Sequence, residues 1–233
     1  RRTLPFCLRQ KRGLLMKLKL FSLSIIFLSL FTLFSYHVAK ERLQQIDFDT
    51  TVKLQDHLPR KYDPIFSYFS LLGSVEVTLG ICLILSLLVL IKGRWQAFLG
   101  WLLIVPATAA EVFGKLVLFH PSPPVFMHRG MLSTTLPSFY VHTDFSYPSG
   151  HMTRTIFIMT VFFCLIFLSK ENFLTKWMKL GLILLLAFLM ALTRISLGEH
   201  WLSDVVGGIL LGMGVGFFSA MLILRPKLRI NPE

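Results

Sequence analysis

Charge is scarce in this sequence. Only 15% of its 233 residues are Asp, Glu, Lys or Arg, against roughly 25% in soluble domains. Hydrophobic residues make up 54% and mean hydropathy is +0.67. This excludes an ordinary soluble domain and indicates a membrane protein. Acidic residues are the scarcest: 12 against 24 Lys and Arg, for a formal net charge of +12. In a soluble chain that excess would suggest nucleic acid. Here the basic residues cluster at the ends of apolar runs, so topology and anionic headgroups account for them. Membrane lipids are therefore the expected partners, and nucleic acid is not. Cysteine is nearly absent. Cys82 and Cys164 lie within apolar runs, Cys7 lies near the start, and no pair has metal-ligand spacing. All three are expected to be spectator thiols. There is no internal repeat and no low-complexity tract.

Long apolar runs are what the chain does have. Six can be drawn: residues 18–36, 75–91 (with an entry from Ile65), 95–118, 152–168, 177–195 and 205–224. Each is near the ~17–25 residues that span a bilayer as a helix. Unpaired backbone groups are excluded from lipid, so helices are the available form. The expected fold is all-α: a polytopic membrane protein of six transmembrane helices with a helical-bundle core. It divides into a basic cytoplasmic N-terminus (1–17), a first anchor with an outer linker and interfacial helix (18–64), a core (65–224) and a cytoplasmic tail (225–233). Met16 opens Met-Lys-Leu-Lys-Leu and reads as a natural start, with the preceding residues as an upstream extension. Residues 20–36 are too long for a signal-peptide core, and His37-Val38-Ala39 is a poor cleavage site. The first run is therefore expected to remain as an anchor.

With both termini inside, 15 of the 24 Lys and Arg fall on the inner side. Omitting everything before Met16 leaves 10 against 9, with Asp47, Asp49, Asp56 and Asp63 outside. The positive-inside rule favours this orientation. It places the loop 120–148, the turn 196–204, Lys115 and His151 on one outer face. Trp95, Trp101, Trp177 and Trp201 lie near segment ends, as interface anchors do. Gly208, Gly212 and Gly216 form a small-residue ridge, for close packing within the chain or for a homodimer.

Two short stretches carry most of the chemistry: Pro148-Ser149-Gly150-His151, and Arg194-x5-His200-x3-Asp204. On a helix, residues four apart share a face. Asp204 there accepts from one ring nitrogen of His200 and leaves the other as a nucleophile, or the pair only caps a helix. Arg194 at a helix lip either snorkels or binds an anion, and its fork suits phosphate oxygens. Ser149 is expected to cap the fourth span, with Gly150 exposing backbone N–H groups to an anion and His151 on the first turn. Lys115 and Glu111 are one turn apart on the same face and are expected to pair, either to tolerate the membrane or to serve function. His128 and His142 have no third ligand at metal spacing, so no metal and no cofactor are expected. Together the two stretches suit transfer of a phosphoryl group at a membrane edge.

Lys115 with the proline-rich stretch to Pro124, Pro148-Ser149-Gly150-His151, and Arg194-x5-His200-x3-Asp204 resemble the three signature motifs of the type 2 phosphatidic acid phosphatase superfamily. The resemblance covers about residues 65–224. It implies an integral-membrane lipid phosphatase acting on a lipid phosphate or diphosphate without a metal. His200 would be the nucleophile forming a phosphohistidine, Asp204 its orienter, and His151 the acid and then the base. Lys115, Arg194 and the backbone at Ser149 and Gly150 would hold phosphate. The resemblance also implies a multi-pass protein with its site outside, and undecaprenyl diphosphate or phosphatidate as substrate classes. Two departures stand out. Ser122 occupies the position where the family usually has arginine, and Thr193 replaces a frequent serine. Arg154, one helical turn past His151, is the expected replacement for that arginine, with Arg129 and His120 also near. A phosphotransferase using the same residues and a non-catalytic lipid-binding relative are the alternatives.

Overall fold

The computed structural model describes residues 6–130 and 145–224. Nine α-helices occur among these residues: α1 (Phe6–Ala39), α2 (Gln44–His57), α3 (Asp63–Ser70), α4 (Val75–Ile91), α5 (Trp95–Leu102), α6 (Ile104–Val117), α7 (Gly150–Phe167), α8 (Phe173–Ser196) and α9 (Leu202–Ile223). Six stretches are long and apolar enough to cross a membrane: Gly13–Ala39, Arg60–Ile91, Trp95–Val117, Gly150–Phe167, Phe173–Ser196 and Leu202–Ile223. These correspond to the six runs expected. Many of their large side chains face outward, among them Leu33, Ile84, Phe113, Leu184 and Phe188. An apolar exterior of this extent fits lipid, not water.

Two spans are broken, each for a local reason. The second starts earlier than its most apolar part: α3 leads through a 3₁₀ turn at Leu71–Gly73 into α4. Ser74 restarts the helix by accepting the Val77 N–H at 3.3 Å. In the third, Pro106 has no N–H to donate to the Leu102 carbonyl, and the helix divides there into α5 and α6. The Leu103 N–H turns back to Gly100 O instead, at 3.3 Å.

Helix α9 is central, with α7 along one side and α1 along the other. The glycine ridge explains the close approach to α7. A methyl on Gly208 would stand 2.6 Å from Ser149 O, one on Gly212 2.6 Å from Thr153 O, and one on Gly216 3.1 Å from Phe157 O. The ridge is thus occupied by α7. Trp101 differs from its expected place at the interface: it is buried and packs on Phe162 in a cluster with Cys82, Ile104 and Phe157. Trp95 and Trp177 remain exposed.

The stretch expected as an outer linker does contain a helix, α2, packed on α8 and α9. Gln55 donates to Met127 O (2.7 Å) and Ser196 O (3.0 Å). Arg129 donates to Leu58 O (3.1 Å) and Gln55 O (2.9 Å). The C-terminal ends of α6 and α8 and the N-terminal ends of α7 and α9 meet at one end of the bundle, beneath α2.

Candidate active site

The site is assembled at two turns. At the first, α8 ends with Arg194 in its last turn. Gly198 adopts φ +67°, and a methyl there would collide with Met127 O. The Arg194 carbonyl accepts the N–H groups of Glu199 (3.2 Å) and His200 (3.1 Å). This folds His200 back toward the bundle. Asp204 stands in the first turn of α9. Its Oδ2 accepts the Trp201 N–H at 2.9 Å and faces His200 Nδ1 at 3.3 Å. Asp204 therefore caps the helix and contacts the histidine with one oxygen. A proton on Nδ1 leaves the Nε2 lone pair of His200 available. Burial, then the charges of Arg194 and Lys115, hold the His200 ring well below the usual histidine range; Glu111 opposes them, and Arg154 adds a smaller push.

The second turn opens α7. Pro148 packs on Gly114, where a methyl would stand 2.6 Å from its Cδ. Ser149 occupies the N-cap position, but its side chain makes no capping bond, and its buried Oγ has no partner among the described residues. Its backbone is used instead: the N–H donates to Asp204 O (3.0 Å), and the carbonyl accepts from Thr153 N (2.9 Å) and Oγ1 (3.0 Å). The two motif stretches are thereby joined directly.

Glu111 occupies the space over Gly150, within contact of where a methyl there would be. Its carboxylate bridges Lys115 Nζ at 2.8 Å and Arg154 Nη1 at 2.7 Å. All three are nearly fully buried. The Lys115–Glu111 pair matches the expectation from spacing; the Arg154 contact has no such signal. His151 is half-buried, lies against Gly73, and is within electrostatic reach of Arg194, Arg154, His200 and Lys115. Arg194 is fully buried and ion-paired with the partly exposed Glu199. The structure thus gathers His200, His151, Asp204, Lys115, Arg194, Ser149, Gly150 and Arg154 at one end of the bundle. Arg129 is used elsewhere, as a clamp on α2.

Two residues, Asp47 and Ser203, escaped the sequence reading as site neighbours, and His120 was noted only as near the missing arginine. Asp47 of α2 accepts from Ser203 N and Oγ, both at 2.7 Å. His120 Nε2 lies 3.3 Å from Ser203 Oγ, 3.8 Å from Asp47 Oδ2 and 3.6 Å from Asp204 Oδ1. Burial pushes the Asp47 carboxyl up to about 6 against the two Ser203 bonds, and the Asp204 charge adds to the rise. A cleft of about 310 Å³ between α2, residues 120–124 and Trp201 has Asp47 and His120 in its wall. Asp47 was visible only as one of several outer acidic residues, because no period links it to position 203.

His128 Nε2 donates to the Pro123 carbonyl oxygen at 3.1 Å, and His142 lies outside the described residues. Among the described residues no three His, Cys, Asp or Glu are grouped to hold a metal ion.

These features define a class: a polytopic helical membrane protein with a buried His–Asp pair ringed by Lys115, Arg154 and Arg194. The sequence profile of the PAP2 superfamily matches residues 78–227, and the chain belongs to that superfamily. It is 33% identical over 128 residues to a Sulfolobus acidocaldarius protein named undecaprenyl-diphosphatase, covering 53% of this chain. The match takes in 55% of that relative, so the chain spans about half its length. In fold it is similar to a transmembrane PAP2-type phosphatidylglycerolphosphate phosphatase from Bacillus subtilis (TM-score 0.67, 19% identity, covering 84% of this chain and 94% of that one). It is also similar to Aquifex aeolicus LpxE (TM-score 0.53, 24% identity, covering 75% and 94%).

Proposed function

We propose that this protein is an integral-membrane phosphatase that hydrolyses a phosphate or diphosphate monoester of a lipid through a phosphohistidine. The observation that carries the reading is the contact of His200 Nδ1 with Asp204 Oδ2, at 3.3 Å, among three basic side chains. His200 Nε2 attacks phosphorus as the bond to the leaving oxygen breaks. His151 gives that oxygen its proton. His151 then takes a proton from water as the water attacks the phosphohistidine, and inorganic phosphate leaves with His200 restored. Asp204 stabilises the ring as positive charge develops on it. Lys115, Arg194 and Arg154, with the backbone N–H at Gly150, hold the equatorial oxygens, while the Ser149 N–H stays with the Asp204 carbonyl.

Arg154 takes the place of the arginine absent at Ser122. It is held by Glu111 at 2.7 Å, as Lys115 is at 2.8 Å, which fixes two cations beside the start of α7. No residue in this scheme needs a metal. Similarity to a protein named undecaprenyl-diphosphatase favours a polyprenyl diphosphate, and the excess of Lys and Arg on the inner side favours a site on the extracytoplasmic face.

Phosphate release is to be measured in detergent, with chelator, from prenyl diphosphates, phosphatidates and lysophosphatidates. Prenyl diphosphate is expected to be the best substrate. A His200→Ala variant should be inactive, and acid-labile phosphate should be trapped on the wild type but not on the variant. Release by His200→Ala at the wild-type rate would refute the nucleophile. Full turnover by Arg154→Ala, with Arg194→Ala inactive, would refute the role of Arg154. Dependence on added magnesium would refute the metal-free route. Phosphate transfer to an added alcohol in preference to water would make the protein a phosphotransferase.

A further inference from the structure

Asp204 has two oxygens, and the reaction above uses only one. Oδ2 accepts from Trp201 and faces His200. Oδ1 points the other way, toward His120 Nε2 at 3.6 Å. That nitrogen is surrounded by acceptors: Ser203 Oγ at 3.3 Å and Asp47 Oδ2 at 3.8 Å complete the set. A ring nitrogen facing three oxygens is best occupied by an N–H. Asp47 is fixed in turn by two 2.7 Å bonds from Ser203, the residue just before Asp204. Asp47, His120 and Asp204 are all nearly inaccessible. The network runs from the His200 pair back to the cleft between α2 and Trp201.

Two buried carboxylates near each other repel, and each is costly to desolvate when unpaired. A donor between them relieves both. Such a donor also fixes the orientation of the carboxylate that must hold the His200 ring, as outer-shell groups do at other histidine sites. Asp47 belongs to α2, outside the region 78–227 that matches the superfamily. The N-terminal part of the chain thus contributes to the centre.

We propose that His120 and Asp47 are positioning residues: His120 sets its Nε2–H against the rear oxygen of Asp204, 3.6 Å away, and Asp47, held by Ser203, orients His120. This rests on the reading of His200 and Asp204 given above. Serine 203 is the hinge of the arrangement, since one side chain and one backbone N–H grip both oxygens of Asp47. Tyr147 lies edge-on to His120, with ring centroids 6.3 Å apart.

The test is a double-mutant cycle in the full chain, read as phosphate release in detergent. His120→Ala should lower kcat about tenfold while KM changes less than about threefold, the order seen when an outer-shell partner is lost. His120→Gln, which keeps an N–H, should restore most of the rate. In an Asp204→Ala background, His120→Ala should cost no more than about twofold, because the accepting oxygen is already gone. Asp47→Asn should give a smaller loss of the same kind. Should His120→Ala not accumulate as folded protein, His120→Phe keeps the ring volume without the donor and takes its place. Equal losses in both backgrounds, or a kcat for His120→Ala and Asp47→Asn within twofold of wild type, would overturn the proposal. His200→Ala runs alongside. If it stays active, the reading of the whole site fails; if it is dead while the His120 and Asp47 variants are unaffected, only this inference fails.

Discussion

Replacing Gly150 with alanine provides a sharp test of the packing around the site. A methyl on Gly150 would stand 2.5 Å from Glu111 Cδ, far inside van der Waals contact. The Glu111 carboxylate cannot simply swing aside, because Lys115 and Arg154 hold it at 2.8 and 2.7 Å. Removing one partner of a buried ion pair costs about 3–5 kcal/mol. Displacing Glu111 without deleting it should cost roughly half of that. The gain from alanine in a helix is at most about 1 kcal/mol, and less at the first helical position. The net loss is therefore about 1–2 kcal/mol. Gly181, in the interior of α8, is the control, since a methyl there meets nothing within 4 Å. Gly181→Ala should be neutral or stabilising by a few tenths to about 1 kcal/mol. The assay is thermal unfolding of the purified variants in one detergent. A Gly150→Ala protein as stable as wild type would refute the geometry of the Glu111 bridge. Glu111→Asp, one methylene shorter, should recover part of the loss when combined with Gly150→Ala.

Further outcomes follow from the same contacts. Glu199 pairs with Arg194, the proposed phosphate fork, so Glu199→Gln should lower KM for a lipid phosphate several-fold; a raised KM would show that Glu199 assists binding. The His200 ring is held below 6.5, so the acid limb of kcat/KM assigned to it should lie well under pH 6.5; a limb at 6.5 or above would contradict its burial. Asp47 is raised from 3.8 to about 6 in the folded protein. Its folded form holds the proton more tightly, so its stabilising contribution is complete below pH ~4 and is lost as pH rises to ~6. The melting temperature of wild type relative to Asp47→Asn should fall across that window and level off above it; a flat difference would refute the shift. Tyr147→Phe removes the 2.9 Å bond to Ser35 and should cost about 1 kcal/mol in the same unfolding assay.

Legibility in the sequence followed distance along the chain. The six spans were plain, because twenty apolar residues in lipid have few structures open to them. The His200–Asp204 and Lys115–Glu111 pairs were plain because four residues make one helical turn. Ser149 was half-legible: its position at the start of α7 was right, but its backbone rather than its hydroxyl makes the contacts. Trp101 was misplaced, since a segment end in sequence is not always an interface, and the break at Pro106 turns this region into the core.

Composition, apolar length and helical period thus determined, from sequence alone, that this is a six-span membrane protein with its histidines at helix ends. The tertiary structure decided the rest. It set the glycine ridge of α9 on α7, and it put Glu111 between Lys115 and Arg154, 43 residues from the latter. It also brought Asp47 of α2 to Ser203 of α9, 156 residues away. The physical reason is that a helix repeats every 3.6 residues and encodes its own neighbours. Contacts between helices depend on how the bundle closes, and no spacing in the chain records them.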